Sequence, residues 1–342
     1  MDKEKLFGKT LSELSVVAAE AGMPSFAAKQ MAGWLYKRSA RSVNDMTDIS
    51  LKARNILDEK YEVGLTVPSS VATGSDGTKK YLFPVSENKY IESAYIPDRD
   101  RATICVSVQS GCRMGCRFCM TAKQGFQGNL SSCDILNQFR SIPEHSLLTN
   151  IVYMGMGEPF DNLDEVLKSL EVLTSPWGYA WSPSRITVST VGIVDKMQRF
   201  LDSTKCHLAI SLHSPFDTER QSLMPVQKAH PLKEVLDIIR SFDFGRQRRV
   251  SFEYIVFKGV NDTPAHIKEL VRLLNGIRCR VNLIRFHPIP GSEFSSPGTP
   301  EMEAFRDSLN AKGITATIRA SRGQDIKAAC GLLSTLEQNK AS

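Results

Sequence analysis

Three of the chain's eight cysteines lie within eight consecutive positions, in the stretch GCRMGCRFCMTAKQGF. They are Cys112, Cys116 and Cys119, and their spacing is C-x3-C-x2-C. Clustered thiols in a reducing compartment indicate metal binding or catalysis, whereas disulfide frameworks are typical of short secreted chains. This chain has 342 residues and opens MDKEKLFGKT, without an apolar signal segment. We therefore expect a cytoplasmic protein whose cysteine triplet binds a metal.

The triplet is one thiolate short of the four that a closed metal site normally uses. A structural zinc site usually takes its ligands from two paired motifs, and the sequence has no second C-x2-C, so zinc stays the lesser alternative. A [4Fe–4S] cluster also normally takes four thiolates. Three would leave one iron open to the amino and carboxylate groups of S-adenosylmethionine (SAM). Electron transfer into the sulfonium would then break a C–S bond and give a 5′-deoxyadenosyl radical.

The triplet directly follows the first of several predicted strands, which alternate with amphipathic segments such as DEVLKSLEVL and HPLKEVLDIIRSF. The candidate strands are ICVSV, NIVYM, RITVST, HLAISLH, VSFEYIVF, VNLIRF and TATIR. Strands that alternate with helices imply a mostly parallel sheet, hence an α/β fold. Six or seven such units favour a full or partial barrel over a doubly wound sheet. In a barrel, the functional residues lie at the C-terminal ends of the strands.

Two smaller units precede this region. Residues 1–60 carry apolar residues at helical spacing, with Asn44 and Asp48 placed as caps before LKARNILDEKY. Residues 61–98 contain short strand patterns separated by SDG and SEN turns. We predict a helical accessory domain over 1–60, a small β extension over 61–98 and a catalytic barrel over 99–336.

Several polar residues fall where predicted strands end. In GMGEP, Gly157 allows close approach of the backbone, and the Glu158 carboxylate can accept hydrogen bonds from an ammonium group. Ser189, Ser211 and His213 end the next strands. Taken singly, residues of these types are usually polar groups satisfied within the fold. Their shared position at the barrel rim makes them candidate ligands.

The three-cysteine pattern resembles that of the radical-SAM superfamily. More narrowly, RATICVSVQSGCRMGCRFCMTAKQGF, GMGEP, ISLHSP, GVND and SRGQDIKAACG are similar to segments of the RlmN branch of the radical-SAM RNA methyltransferases. The resemblance covers nearly the whole chain. It implies a (β/α)6-type partial barrel, a [4Fe–4S] cluster held by Cys112, Cys116 and Cys119, and two SAM molecules per turnover.

The resemblance also implies the substrate. It is C2 of an adenine in the peptidyl-transferase centre of 23S rRNA and, in some members, an adenine of the tRNA anticodon loop. C2 is an amidine carbon without a lone pair, so direct methyl transfer from a sulfonium is implausible there. The related Cfr branch methylates C8 of the same adenine and remains the alternative.

Two outlying cysteines gain roles from the resemblance. Cys330 matches the thiol that takes a methyl group from the first SAM, and the radical formed from the second SAM abstracts hydrogen from that S-methyl group. The resulting carbon radical adds to C2. Cys105 matches the thiol that resolves the protein–RNA adduct, leaving a Cys105–Cys330 disulfide. Without the resemblance, both would be read as ordinary buried cysteines.

The remaining site residues also come from the resemblance. Glu92, in KYIESAYIP, matches a proposed general base near the target carbon, and its alternative reading is a surface carboxylate on a strand. His287 stands where many members carry Asn, and it can donate or accept in place of that amide. The residues implied to contact SAM are Gly157, Glu158, Ser189, Ser211, Leu212, His213 and His287.

Positive charge marks candidate RNA surfaces. The net charge is +6, and LYKRSARS and GRQRR concentrate it, as phosphate binding requires. Solvated surface charge is the alternative interpretation. The helical N-terminal unit, with Trp34, Tyr36, Lys37 and Arg38, is the predicted RNA-binding appendage.

The expected partners are RNA and an external one-electron reductant of flavodoxin type. No run of 18 apolar residues occurs, so no membrane is expected, and a monomer is predicted. Two other classes of protein remain as alternatives. A non-enzymatic iron–sulfur or zinc protein that binds RNA would not turn over SAM, and an activase for glycyl-radical enzymes would have no use for Cys105 and Cys330.

Overall fold

The computed structural model describes residues 3–86 and 88–335, so the terminal residues of the predicted accessory domain and barrel, at 1–2 and 336, lie outside the described residues, as does residue 87. The strands are β1 Glu4–Lys5, β2 Tyr61–Glu62, β3 Ser70–Thr73, β4 Lys79–Ser86, β5 Lys89–Asp98, β6 Arg101–Cys105, β7 Gln109–Ser110, β8 Gly128–Asn129, β9 Asn150–Tyr153, β10 Ile186–Thr190, β11 His207–Ser211, β12 Val250–Val256, β13 Cys279–Arg285 and β14 Ala316–Ile318. The helices are α1 Leu11–Glu20, α2 Ala27–Ala32, α3 Leu51–Lys60, α4 Met120–Gln124, α5 Ser132–Arg140, α6 Leu163–Thr174, α7 Val194–Ser203, α8 Asp217–Leu223, α9 Leu232–Ser241, α10 Pro264–Leu274 and α11 Thr299–Ala311.

Within the described residues, one ten-stranded sheet organises the molecule. Its order is β14-β13-β12-β11-β10-β9-β6-β5-β4-β3. The strands from β6 through β9 to β14 pair in parallel, whereas β3 to β6 pair antiparallel. The edge strands β3 and β14 are not paired with each other, so the curved sheet stays open. The predicted α/β partial barrel is confirmed.

The parallel strands are apolar on both faces because side chains fill the barrel inside and helices cover it outside. In β12, Phe252, Tyr254 and Val256 are fully buried. In α9, Leu232, Val235, Leu236 and Ile239 are buried, Ile238 is half-buried and the remaining positions are exposed. This apolar stripe recurs at helical spacing, which is why the sequence pattern predicted the element correctly.

The antiparallel strands β3 to β5 extend the same sheet rather than forming a sheet of their own. Ala94 of β5 is the register partner of Cys105 in β6. The predicted boundary between residues 98 and 99 therefore falls in the turn between two paired strands. Within the described residues, each helix is too short or too polar to cross a membrane.

The helix α3 begins differently from the sequence expectation. The cap is Ser50, whose hydroxyl accepts a hydrogen bond from the first turn of the helix at 3.3 Å. The prediction that Asn44 and Asp48 act as caps is therefore wrong. The Asp48 carboxylate instead accepts from Trp34 Nε1 at 2.6 Å and from Arg38 at 2.9 Å, because the chain folds back on itself within this unit.

Candidate active site

A cavity of about 390 Å³ lies at the C-terminal ends of the parallel strands. Most of the predicted site residues line it, and they are Cys105, Cys112, Cys116, Cys119, Gly157, Glu158, Ser189, Ser211, His213, His287 and Cys330. They come from segments far apart in sequence, which meet because the carboxyl ends of parallel strands share one rim. Leu212 and Glu92 are predicted site residues that do not line this cavity.

The cysteine triplet lies in the loop between β7 and α4, and backbone contacts fix that loop. The Cys112 amide donates to the Gly125 carbonyl at 3.2 Å, and the Cys119 amide donates to the Cys116 carbonyl at 3.2 Å. Gly111 has φ +71°, and a Cβ atom there would lie 1.6 Å from the Gly125 carbonyl oxygen. The loop can therefore close only with glycine at position 111.

The cysteine triplet provides three thiols as candidate metal ligands. Burial raises the pKa of the Cys112 thiol to about 12 and that of Cys116 well above its usual range, so thiolates here need positive metal charge.

Glu158 is a buried carboxylate that joins two strand ends. Its Oε1 accepts from Thr190 Oγ1 at 2.5 Å and from the Phe160 amide at 2.9 Å, while Oε2 accepts from the Val191 amide at 2.9 Å. Burial nevertheless raises the pKa of Glu158 to about 7. Because a carboxylate offers about four acceptor positions, one remains for the ammonium group that the sequence predicts as its ligand.

His213 is held as a neutral imidazole. Its φ is +55°, and its backbone carbonyl accepts from Asn261 Nδ2 at 2.6 Å. Its Nδ1 accepts from the Ile255 amide at 3.0 Å, so the ring proton resides on Nε2. Burial lowers the pKa of His213 to about 3. The ring edge packs on Phe118 at 4.8 Å between centroids, and the imidazole thus offers one donor at the cavity wall.

Leu212 contributes its backbone rather than its side chain, which is fully buried in the core. Its carbonyl accepts from Nε of Arg220, a fully buried arginine, at 3.2 Å. The same guanidinium donates to the carbonyls of Val191 at 2.7 Å and Ser211 at 2.9 Å. Arg220 therefore ties the ends of β10 and β11 together beneath the rim. Sequence reasoning missed it, because an arginine on an amphipathic helix normally signals solvent.

Cys105 and Cys330 lie in the same cavity as free thiols. Cys105 is buried at the end of β6, and Cys330 is exposed in the segment after β14. Burial, with a smaller contribution from Cys330, raises the pKa of the Cys105 thiol to about 12. The structure therefore brings together two cysteines separated by 225 positions, as the resemblance implied.

Arg319 lines the cavity beside these two thiols, and sequence reasoning did not single it out. Its Nη1 donates to Glu253 Oε2 at 3.3 Å and contacts Met154 Sδ at 3.3 Å. The nearby thiol of Cys330 is the largest influence on the Arg319 pKa, which lies above its usual value. The signal that could have found it is its place at the end of the predicted strand TATIR.

Glu92 lies buried outside the cavity, where it holds the segment that follows Cys330. Its Oε1 pairs with Lys80 Nζ at 2.9 Å, and its Oε2 accepts from the Ser334 amide at 2.9 Å. Its alternative reading as a surface carboxylate is wrong, since its exposed fraction is 1%.

His287 lines the cavity, and its Nε2 lies 3.1 Å from Ser321 Oγ. Burial lowers the pKa of His287. The imidazole therefore stands neutral at the rim, able to act as donor or acceptor where the resemblance places a SAM contact.

The predicted RNA-binding residues of the N-terminal unit divide into two groups. Tyr36 is buried, and its ring packs on Trp177 of the barrel unit at 5.9 Å between centroids. Lys37 Nζ donates to a barrel carbonyl, that of residue 176, at 2.7 Å. Arg38 stacks over Trp34 at 4.6 Å with its side chain half exposed. Tyr36 therefore joins the two units and is not available to RNA.

Two family models match the chain. The Radical SAM superfamily model matches residues 106–274, and the Ribosomal RNA large subunit methyltransferase N-terminal domain model matches residues 4–63. The first spans the parallel strands from the cavity loop to α10, and the second spans the helical unit.

Relatives of known family match nearly the full length of the chain. The "Probable dual-specificity RNA methyltransferase RlmN" of Parabacteroides distasonis is 57% identical over 98% of both chains. The "Dual-specificity RNA methyltransferase RlmN" of Syntrophus aciditrophicus is 41% identical over 98% of this chain and 97% of its own. A solved radical SAM methyltransferase from Sphaerobacter thermophilus superimposes with a TM-score of 0.89 at 37% identity, over 96% of this chain and 99% of that one. A radical-SAM enzyme of this kind uses SAM and a [4Fe–4S] cluster. The chain belongs to the RlmN family of radical-SAM RNA methyltransferases.

Proposed function

We propose that the enzyme methylates C2 of adenine 2503 in 23S rRNA and of adenine 37 in tRNA. The observation that carries the proposal is that Cys105 and Cys330 line one cavity with the cysteine triplet. Two thiols beyond those that bind the cluster are what a methyl-cysteine route requires. The relatives are named as dual-specificity RNA methyltransferases, which supports a pair of RNA substrates.

The rim residues bind the cofactors in this proposal. Cys112, Cys116 and Cys119 hold the cluster, which when bound supplies the electron that cleaves SAM to a 5′-deoxyadenosyl radical. Glu158, with the free acceptor position on its carboxylate, binds the amino group of SAM. The other residues proposed to contact SAM are Gly157, Ser189, Ser211, Leu212, His213 and His287.

Cys330 carries the methyl group between SAM and RNA. Its thiolate takes the methyl group of a first SAM, and S-adenosylhomocysteine leaves. After hydrogen abstraction with a second SAM, the S-methylene carbon radical bonds to C2. The adduct then loses the C2 proton and one electron, which the oxidised cluster, when bound, would accept. The Cys105 thiolate then attacks the Cys330 sulfur, and the bond from sulfur to the methylene carbon breaks with its electron pair on carbon. A proton completes the new methyl group, and a Cys105–Cys330 disulfide remains.

Glu92 is the proposed base for the C2 proton, and its contacts set a condition on that role. The carboxylate is bound to Lys80 and to the Ser334 amide outside the cavity. It can reach an adenine only if the segment after Cys330 releases it. In the same proposal, residues 1–60 form an RNA-binding unit, 61–98 a β extension and 99–336 the catalytic barrel of a monomer fed by an external one-electron reductant.

Substituting the proposed methyl carrier tests this function. With anaerobically reconstituted protein, Cys330→Ala should abolish methylation of a 23S rRNA fragment. Cys279→Ala should retain it, because Cys279 is a half-buried cysteine that does not line the cavity. Mass spectrometry against synthetic standards should identify 2-methyladenosine. Unchanged activity of Cys330→Ala would disprove the methyl-cysteine route, and 8-methyladenosine as the main product would disprove the choice of carbon.

The second thiol gives an independent test. Cys105→Ala should stop the reaction after C2 bonds to the methylene carbon, so a covalent protein–RNA adduct should accumulate. A denaturing gel would show it as a shifted band that nuclease digestion removes. Free protein together with methylated RNA would contradict the role of Cys105.

A further inference from the structure

A second concavity, of about 340 Å³, reaches the cysteine triplet from outside the main cavity. Cys116 lines both concavities, whereas Cys105 and Cys330 line only the larger one. Arg117, Lys123 and Phe294 form part of the outer wall. The cluster site therefore has two approaches, and only one of them leads to the proposed methyl-transfer thiols.

The wall over Cys116 is thin on this outer side. Gly115, which precedes it, is exposed and carries no side chain. Its φ is +71°, and the nearest atoms to a Cβ placed there belong to Pro225, at 3.6 Å. A partner bound to this surface would therefore be separated from Cys116 by little more than the backbone of Gly115.

The outer face carries more positive than negative charge. The stretch GCRMGCRFCMTAKQGF contains Arg113, Arg117 and Lys123, all exposed, and no acidic residue. Two carboxylates from neighbouring loops pair with this set, Asp161 with Arg113 at 2.9 Å and Glu293 with Arg117. Among the residues that line the outer concavity itself, Arg117 and Lys123 stand against one carboxylate, that of Glu293, which leaves an excess of one positive charge.

Arg117 also supports an aromatic surface beside this charge. Its guanidinium lies 5.3 Å from the ring centroid of Phe294, which is itself partly exposed and packs on buried Phe257 at 4.7 Å. A partly apolar surface with cations beside it is the composition expected of a transient protein interface.

We propose that this outer face, formed by Gly115, Arg117, Lys123 and Phe294, is the docking surface for an acidic flavoprotein that reduces the cluster. The inference rests on the proposed function, because only a cluster that must be reduced at each turnover needs such a donor. One electron leaves the reduced flavin of the donor and enters the cluster beside Cys116, and no bond is formed or broken in the step. RNA is the other polyanion in the reaction, but its target base must reach Cys105 and Cys330 in the other cavity.

The test reverses the charge of the outer face in the full-length protein. In Arg117→Glu/Lys123→Glu, the affinity for oxidised flavodoxin, measured by titration calorimetry at low salt, should fall at least tenfold. The control, Lys268→Glu/Lys312→Glu, makes the same change in net charge at exposed positions of α10 and the end of α11. It should bind flavodoxin like the unmodified protein, and the affinity of the unmodified protein should fall as salt rises.

Turnover with two reductants separates docking from chemistry. RNA methylation driven by reduced flavodoxin should fall in the Arg117→Glu/Lys123→Glu variant, while methylation driven by dithionite, a small reductant, should stay unchanged. Three results for the variant would overturn the proposal. They are an unchanged affinity for flavodoxin, a loss of RNA affinity in place of flavodoxin affinity, and an equal loss of RNA methylation with both reductants. Failure of the proposed function would give a different result. The unmodified enzyme would then produce no methylated RNA with dithionite, whatever its affinity for flavodoxin.

Discussion

At the scale of single residues, the charge of Arg319 favours ionisation of Cys105, the thiol proposed to resolve the adduct. A thiol reacts as its thiolate, and burial holds the pKa of Cys105 at about 12 even though Arg319 lowers it. Glu253, Ser251 and Asn282 form a chain of contacts that orients the guanidinium, since Glu253 Oε1 accepts from Asn282 Nδ2 at 2.7 Å and from Ser251 Oγ at 3.1 Å. The cation is therefore fixed in place beside the reacting sulfurs.

Arg319→Met should slow resolution of the protein–RNA adduct about tenfold at neutral pH, the effect of one pKa unit on the thiolate fraction. The sign follows from the chemistry: removing a cation raises the pKa of Cys105, so less thiolate exists at a given pH. The rate of adduct resolution should therefore rise with pH in both proteins. The variant should need a higher pH to reach the same rate as the unmodified protein. Arg319→Lys keeps the charge and should stay near the unmodified profile. Gel-resolved adduct lifetimes between pH 7 and 10 measure this, and three identical profiles would rule the idea out.

The positions of residues at the cavity rim could be predicted from the sequence. The buried residues that hold the rim in place could not. Gly157, Glu158 and His213 were identifiable because strand ends in a parallel barrel converge. Arg220 was not, because its partners are backbone carbonyls of other strands that only the folded chain brings within reach. The same holds for Thr190, whose hydroxyl holds Glu158.

At the scale of secondary-structure elements, the segment after Cys330 is held to β5 and to α4, the helix that follows the cysteine triplet. The Met120 amide donates to the Gly331 carbonyl at 2.8 Å, and Thr121 Oγ1 donates to the Leu333 carbonyl at 2.7 Å. The Glu92 carboxylate holds the same segment through the Ser334 amide. The position of the proposed methyl carrier thus depends on a buried carboxylate from another element.

Two substitutions at Glu92 separate holding the segment from acting as a base. Glu92→Gln can still accept from the Ser334 amide, so S-methylation of Cys330 should persist while RNA methylation falls. Glu92→Ala loses the acceptor, so both should fall, because Cys330 is no longer positioned. Peptide mass spectrometry of Cys330 and product analysis of the RNA give the two readouts.

The control for Glu92 is Glu144→Gln. Glu144 is another buried carboxylate of the same region, and it pairs with Lys79 at 2.6 Å and with Tyr81 at 2.6 Å away from the cavity. It should leave both methylation steps intact. If Glu92→Ala still accumulates methyl-Cys330 to the normal level, Glu92 does not position the segment.

Element types were predictable from the sequence, whereas element ends depended on long-range contacts. The pattern ICVSV predicted a strand over 104–108, but β6 ends at Cys105. Beyond it, the Gln138 side chain takes the place of a neighbouring strand: its Oε1 accepts from the Ser107 amide at 2.8 Å, and its Nε2 donates to the Ser107 carbonyl at 2.9 Å. No local pattern reveals that a glutamine on α5 will complete this backbone pairing.

At the scale of the whole molecule, the N-terminal unit and the barrel are packed against each other through side-chain contacts. Ser132 Oγ donates to the Gly8 carbonyl at 3.0 Å, and Lys168 of α6 pairs with Glu13 of α1 at 2.8 Å. The Tyr36 ring lies against Trp177 in the same interface. RNA bound by the N-terminal unit would therefore be presented to the cavity in a fixed orientation.

Gly8 is the position at which this arrangement can be broken most cleanly. Its φ is +91°, and a Cβ atom there would lie 2.4 Å from the Cys133 backbone nitrogen at the start of α5. Gly8→Ala therefore requires either backbone strain or separation of the two units. Gly22→Ala is the matched control, because Gly22 also has a positive φ, +67°, but nothing lies within 4 Å of its would-be Cβ.

Gly22→Ala should cost about 1 kcal/mol of unfolding free energy, the price of left-handed backbone in a residue with a Cβ. Gly8→Ala should cost clearly more, about 3 kcal/mol or above, because the clash with rigid backbone adds to that strain. Denaturant unfolding measures both values, and limited proteolysis between the units should accelerate only in Gly8→Ala. RNA methylation should fall in that variant while SAM cleavage without RNA continues, since the barrel keeps its own cavity. Equal stability losses in the two variants would show that the units are held together elsewhere, and that their fixed orientation does not depend on the contact at Gly8.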